Sequence, residues 1–283
     1  VSTASAPASA ANLGPGYDVL ALALDVRCRV TAARADEWTV TTGGVPVDDG
    51  ALTMVRRTAE AVGAGGAFSV AVESDIPIGR GLGSSAALIV AAAGAIGAAV
   101  EASTNPVDLL EACAEVEGHP DNVAAALYGG LVAVSARGAV WKLALHPSLL
   151  VLVAVPEETL STGEARRATA APVETRVAAR TAARLAFLIE GLRSADGGAL
   201  IEAAGDELHE LRRAHLSPIT GRLIEAAREA DALHAAWSGA GPSCVAFVTE
   251  ETADAVEAAM GTVLDGAGKV FDLAIDRRGL SVG

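Results

Sequence analysis

Residues 77–87 read PIGRGLGSSAA, with glycines at 79, 81 and 83 followed directly by Ser84 and Ser85. Glycine lets the backbone approach a ligand closely and take positive φ, and the first turn of a following helix leaves N–H groups unpaired. Together they form a cradle for phosphate that needs no lysine. That matters here, because the chain contains no GxxxxGK[ST] string. A glycine-rich turn that merely packs a helix on a sheet has the same composition. A dinucleotide fingerprint, GxGxxA at Gly81, Gly83 and Ala86 with Glu101 twenty residues on, has the wrong context. Eight residues separate Val72 from Gly81, and Glu101 ends a helix instead of a second strand.

The loop must be held by what flanks it. Residues 68–73, FSVAVE, alternate as a strand leading in. Residues 86–100, AALIVAAAGAIGAAV, form an apolar run whose fifteen positions fall short of the ~20 that span hydrocarbon, so a buried helix is expected. Its Gly94 and Gly97 allow close approach to a sheet. Strands are further expected at residues 19–30, 38–42, 131–135, 140–145, 150–155, 243–249 and 270–275. Helices are expected at 52–62, 107–117, 123–128, 175–194, 199–214, 218–230 and 251–260, with Asn105 as N-cap and Pro106 at the first helical position before 107–117. Strands and helices without regular βα alternation argue for two α+β lobes, divided near residues 146–149 into 1–148 and 149–283.

Composition narrows the function classes. Of 283 residues 51% are apolar but only 3% aromatic, so the core is built mainly from Ala, Val and Leu. A formal charge of −14 argues against a nucleic-acid partner, which needs a stripe of Lys and Arg. An anionic ligand must therefore be met locally. Cys28, Cys113 and Cys244 are odd in number and widely spaced, which suggests neither disulfides nor a zinc site and fits a reducing cytoplasm. The first residues, VSTASAPASAANLG, show no basic and apolar regions of a secretory signal, and no membrane association is expected.

PIGRGLGSSAA resembles the second signature of the GHMP kinases, a superfamily of ATP-dependent small-molecule kinases. Residues 6–24, APASAANLGPGYDVLALAL, and 237–243, WSGAGPS, resemble its other two signatures in the right order, so the resemblance covers essentially the whole chain. Within the superfamily, EGHPDNVAAALYGG and LSTGEARR are most similar to the homoserine kinases. The resemblance implies a two-lobed α+β fold, with an N-terminal lobe like a ribosomal-protein-type domain and a ferredoxin-like C-terminal lobe. It implies transfer of phosphate from ATP to the L-homoserine hydroxyl, giving O-phospho-L-homoserine in threonine biosynthesis. Members are often dimers, which implies a homodimer.

By the same resemblance, Pro77, Ile78, Gly79, Arg80, Gly81, Leu82, Gly83, Ser84, Ser85, Ala86 and Ala87 would hold the ATP phosphates. Ser85 and Glu115 would be the protein ligands of Mg²⁺, a hard cation that prefers oxygen; Glu117 lies two residues on, on another face of the helix. Asn12, Asp18, His119, Asn122, Arg166 and Arg213 would form the acceptor pocket, the arginines suited to bidentate carboxylate capture. Arg167 and Arg212 are adjacent alternatives, and His119 has a second reading as a turn cap before Pro120. Asp18 and Thr162 would orient the reacting hydroxyl, since a loose transition state demands positioning more than a strong base. The sequence departs from the family where Thr53 or a neighbour replaces an Asn near the base, and where residues 168–172, ATAAP, replace a Leu-Pro. Another GHMP acceptor, such as threonine, shikimate, pantoate or mevalonate, is one alternative. A nucleotide-binding regulator without turnover is another.

Overall fold

In the computed structural model, which describes residues 1–283, two sheets are built in succession. The first part of the chain runs through β1 (Ser2–Asn12), β2 (Gly16–Ala35), β3 (Thr39–Thr42), β4 (Val45–Pro46), α1 (Asp49–Ala61), β5 (Ala67–Ser74), α2 (Ser84–Ala99), α3 (Pro106–Glu117), α4 (Asp121–Tyr128), β6 (Leu131–Val134) and β7 (Val140–Leu143). The second part runs through β8 (Leu150–Pro156), α5 (Thr162–Thr169), α6 (Thr175–Ser194), α7 (Gly197–Glu202), α8 (Glu210–Arg213), α9 (Pro218–Glu229), β9 (His234–Trp237), β10 (Cys244–Val248), α10 (Ala253–Leu264), β11 (Gly268–Asp272) and β12 (Ser281–Val282). The larger sheet has the order β12-β1-β2-β5-β3-β4, with β6 and β7 carried on β2. The smaller is antiparallel, in the order β11-β8-β10-β9.

Small residues explain the N-terminal lobe. β1 reads STASAPASAAN, a composition with weak strand preference, and sequence pattern alone does not mark it as a strand. Tertiary pairing makes it one, through a ladder with β2 that runs from Ser2↔Ala32 to Asn12↔Gly16. Its short side chains leave room for α2, whose Gly94 would place a Cβ 3.0 Å from that of Ala4. The helix is buried along residues 86–97 with one exception, as its apolar run implies, and it starts at Ser84. Asn105 caps α3 by accepting from the Val107 N–H, with Pro106 in the first turn.

β8 is apolar on both faces for a reason seen only in three dimensions. Val151, Val153 and Val155 join the main core under the large sheet, while Leu152 and Ala154 pack beneath α9 and α10 with Leu223, Val256 and Met260. The two sheets part between β7 and β8. The tail does not follow it: residues 281–282 pair with β1 across Ala4↔Val282, and buried Asp276 bonds Arg27 of β2. The unit expected at 149–283 therefore lends its last residues to the other lobe.

The helix expected at 199–214 is broken. Gly205 takes φ +81°, and the buried Asp206 carboxylate accepts the N–H groups of His209 and Glu210, which starts a new short helix. Without that break His209 and Arg213 would point elsewhere.

Candidate active site

A cleft of about 390 Å³ opens between the lobes and is lined from both. The first turn of α2 faces it. Its N-cap is Gly83, at φ +64°, with no side-chain cap, so the N–H groups of the first turn lack a side-chain acceptor. Of the expected loop, Ile78, Gly79, Gly81, Gly83, Ser84 and Ser85 line the cleft. The remainder of the eleven serve the scaffold. Leu82, Ala86 and Ala87 are buried in the core, Pro77 is not among the lining residues, and Arg80 turns away to the Pro156 carbonyl.

The WSGAGPS segment buttresses this loop. Ser238 Oγ donates to the Gly81 carbonyl at 2.7 Å, and a Cβ on Gly81 would lie 2.8 Å from the Gly241 nitrogen and on top of the Ser238 carbonyl. Gly81 also sits at φ +73°. Strain and collision therefore act together. Gly81→Ala is expected to raise the KM for ATP at least about tenfold, since backbone strain and overpacking each cost on the order of 1–3 kcal/mol. Steady-state kinetics with ATP varied measures it, and an unchanged KM would contradict the packing.

Ser85 finds a partner, and it is not Glu115. Its hydroxyl donates to Glu117 Oε1 at 2.6 Å, while Glu115 is exposed, does not line this cleft, and borders a separate groove. Helical period explains the correction. Leu110, Cys113 and Glu117 lie three and four residues apart on the buried face of α3, and Glu115 falls on the opposite side. Burial pushes the Glu117 carboxyl above its ordinary range, against the Ser85 hydrogen bond that lowers it. Two hard oxygens beside an anion cradle fit Mg²⁺, which commonly takes one or two protein oxygens and completes its shell with phosphates and water.

At the other end of the cleft the expected acceptor residues converge. Asp18 accepts from Arg166 Nη2 at 2.9 Å and Nη1 at 3.2 Å, and its N–H donates to Asn12 Oδ1 at 3.1 Å. Asn12 donates onward to the Gly239 carbonyl at 2.9 Å. Arg213 is buried: Nε donates to the Ala165 carbonyl and Nη1 to the Gly239 carbonyl and His209 Nδ1, leaving Nη2 for a ligand. Burial pulls its guanidinium below the usual arginine range, and Tyr17 lies against it at 5.1 Å.

The adjacent arginines separate from these. Arg167 is exposed, and Arg212 ties down the unusual ATAAP segment through the carbonyls of Thr169, Ala171 and Pro172.

Asn122 Oδ1 accepts from Ser9 Oγ at 2.7 Å, so its amide nitrogen is the group free to face the cleft. His119 does more than cap a turn. It lines the cleft with Nδ1 2.8 Å from Asp121 Oδ1. Burial pulls its pKa down, but the Asp121 hydrogen bond and the charges of Asp121 and Glu117 outweigh this and raise it overall. Thr162 lines the cleft at the start of α5, behind its N-cap Ser161. Asp48, Gly50, Ala51 and Met54 of the α1 start form a further wall, whereas Thr53 is exposed and outside it.

Ser9, Tyr17, Asp121 and His209 are missing from the sequence reading. Ser9 and Tyr17 fall within the 6–24 signature and Asp121 within GHPDN, whereas His209 belongs to no motif.

Glu210 lies behind this end, buried, accepting from the Trp237 N–H at 2.8 Å, and burial pushes its carboxyl up to about 7. Between an ordinary value near 4.5 and 7, the folded chain keeps a proton that the unfolded chain releases, so this group lowers stability as pH rises through that window. Glu210→Gln keeps the acceptor without the charge. It is expected to stabilise the protein by about 1–3 kcal/mol at pH 8 and far less at pH 5. Urea denaturation at both values checks it, and an equal effect at both would count against the buried carboxylate.

The three thiols play no part. All are buried, and burial pushes Cys28 up to about 11 and Cys113 up to about 12.

Two α+β lobes enclosing a cleft, with an uncapped helix N-terminus and a two-oxygen pair at one end and paired arginines at the other, define a small-molecule phosphotransferase. Residues 50–130 match the family model for the GHMP kinases N terminal domain, and residues 188–266 that for the GHMP kinases C terminal region. A homoserine kinase of Synechococcus is 37% identical over 278 residues, covering 93% of this chain and 88% of its own length. One of Desulfitobacterium hafniense is 34% identical, with 98% of each covered. The crystal structure of homoserine kinase from Cytophaga hutchinsonii superposes with a TM-score of 0.86 at 28% identity, over 99% of this chain and 96% of that one. The chain belongs to the GHMP kinases and, within them, to the homoserine kinase family.

Proposed function

We infer that the protein transfers the γ-phosphoryl group of ATP to the hydroxyl of L-homoserine, forming O-phospho-L-homoserine and ADP in threonine biosynthesis. Beside the family match, one observation carries this reading. One cleft is lined both by the uncapped N-terminus of α2 and by the buried Arg213, with Asp18 and Asn122 also in its wall, which suits an anionic donor and a carboxylate-bearing acceptor.

ATP phosphates lie along Gly79, Gly81, Gly83, Ser84 and Ser85 at the α2 N-terminus, with the base toward Ala51, Met54 and Leu88. Ser85 and Glu117 would hold Mg²⁺, which would supply neutralisation of phosphate charge. Arg213 Nη2 takes the substrate carboxylate, and the Asn122 amide and the Asp121-bound His119 surround the head group. Asp18 is held by two bonds from Arg166, so it orients the hydroxyl instead of serving as a free base. The hydroxyl oxygen forms a bond to the γ-phosphorus as the bond to ADP breaks, and its proton leaves to the phosphate or solvent. Positioning and charge neutralisation supply the rate.

No helix is long and apolar enough to cross a membrane, and three unpaired buried thiols support a cytoplasmic location. A homodimer is proposed from the family habit. Coupled ADP release with homoserine, threonine, shikimate, pantoate and mevalonate tests the acceptor. Homoserine is expected to exceed each by at least about 100-fold in kcat/KM, because shikimate, pantoate and mevalonate lack the ammonium group and threonine carries its hydroxyl one carbon too close to the head group. Preference for another acceptor would overturn the reading.

A further inference from the structure

The turn between β1 and β2 is an unusual piece of backbone. Asn12, Leu13 and Gly14 have φ of 71°, 52° and 86°, three consecutive left-handed residues of which only one is glycine. Side-chain-bearing residues pay about 1–2 kcal/mol each for that conformation, so something outside the turn must hold it. Two histidines of the other lobe do. His234 Nε2 lies 3.0 Å from the Leu13 carbonyl and His209 Nε2 2.7 Å from the Gly14 carbonyl.

We propose that His209 and His234 are positioning residues for phosphoryl transfer, a pair of neutral donors that hold the turn 12–14 against the C-terminal lobe and thereby set Asn12, Asp18 and Arg213. The proposal rests on the acceptor end lying where the homoserine kinase reading puts it.

Several contacts make the arrangement one unit. A carbonyl only accepts, so both rings must carry their proton on Nε2. At His209 this leaves Nδ1 as the acceptor for Arg213 Nη1, 3.3 Å away. At His234, Nδ1 is buried and makes no hydrogen bond. Burial holds each ring at about 4, well below the usual histidine value, at His209 against the opposing pull of the buried Asp206 carboxylate 3.7 Å from Nε2. A second proton on His209 would place an N–H against the Arg213 guanidinium. His209 also stacks on Tyr17 at 5.0 Å, and Tyr17 in turn faces Arg213. On the opposite side of the turn, the Gly239 N–H donates to the Ala11 carbonyl and Asn12 Nδ2 to the Gly239 carbonyl. Turn, tyrosine and arginine thus share one imidazole.

Imidazole ¹⁵N NMR and variant kinetics test this together. Both rings are expected as the Nε2–H tautomer at pH 7; an Nδ1–H or doubly protonated ring at either position would overturn the proposal. His209→Phe keeps the stack and loses both hydrogen bonds. It should raise the homoserine KM about tenfold, with the ATP KM within about twofold. His209→Gln, which keeps a donor at the Nε2 position, should restore the homoserine KM to within about threefold, and His209→Asn, which does not reach Gly14, should not. Phe and Asn variants indistinguishable from the parent, or equal rises in both KM values, would sink the idea. If a Phe variant fails to fold, the Gln and Asn pair decides. Amide exchange at Asp18 and Gly239 reads the same clamp without an acceptor: His234→Phe should speed both about tenfold, and unchanged rates would count against it. Parent enzyme inactive on homoserine would instead overturn the acceptor assignment, with tautomers and exchange still judging the clamp.

Discussion

Glu117→Gln is expected to lower kcat by about two to three orders of magnitude, and Glu115→Gln to leave it within about twofold. The two residues belong to one helix and differ by two positions, so the contrast isolates geometry from composition. Glu117 touches the Ser85 hydroxyl at the mouth of the anion cradle; Glu115 is on the opposite side of α3. Glutamine retains size and an acceptor oxygen but removes the negative charge that a divalent cation demands. The loss should therefore be partly offset by raised Mg²⁺ concentration, which a purely structural defect would not show. Steady-state kcat measured across a Mg²⁺ titration distinguishes them. A strong effect at Glu115, or none at Glu117, would refute the placement of the metal.

Arg213→Lys should raise the homoserine KM by at least about 30-fold, while the ATP KM stays within about threefold. Lysine keeps the charge, so the expected loss is one of geometry. The guanidinium spans three acceptors at once, the carbonyls of Ala165 and Gly239 and the Nδ1 of His209, and still presents Nη2 to the cleft. An ammonium has no such planar fork. Arg212→Ala serves as the neighbouring control. It releases the carbonyls of residues 169–172 and loosens the rim, so a rise of only a few-fold is expected. Comparable rises for both substrates in the Lys variant would show that Arg213 holds the fold and not the acceptor.

Periodic elements were readable from local pattern because one buried face imposes its period on the residues that fill it. α2 is apolar all round and buried, and α6 spans the residues its pattern marks. β1 was not readable. An Ala- and Ser-rich segment has little strand preference of its own, and it becomes a strand only because β2 pairs with it and α2 needs thin side chains beneath. The break at 203–209 was hidden for a similar reason, since Asp206 caps a helix only once the chain has turned there. The choice between Glu115 and Glu117 is different. Family position favoured Glu115, but Glu117 shares the face of Leu110 and Cys113 that packs inward, and it is the one that meets Ser85.

The sequence by itself determined which chemistry was possible. Residue type and short spacing in PIGRGLGSSAA allow a lysine-free anion cradle, while the carboxylate beside it and the arginines for an acceptor were implied by the resemblance of EGHPDN and STGEARR to the homoserine kinases. Only the tertiary structure decided which side chains meet. Residues far apart in the chain come together for separate reasons: Ser85 meets Glu117 because α2 packs on α3, Asp18 meets Arg166 because the start of β2 faces α5, and Gly14 meets His209 because the break between α7 and α8 turns that histidine to the β1–β2 turn. Long-range contacts of this kind follow from packing elements and lobes together, and no local pattern encodes them.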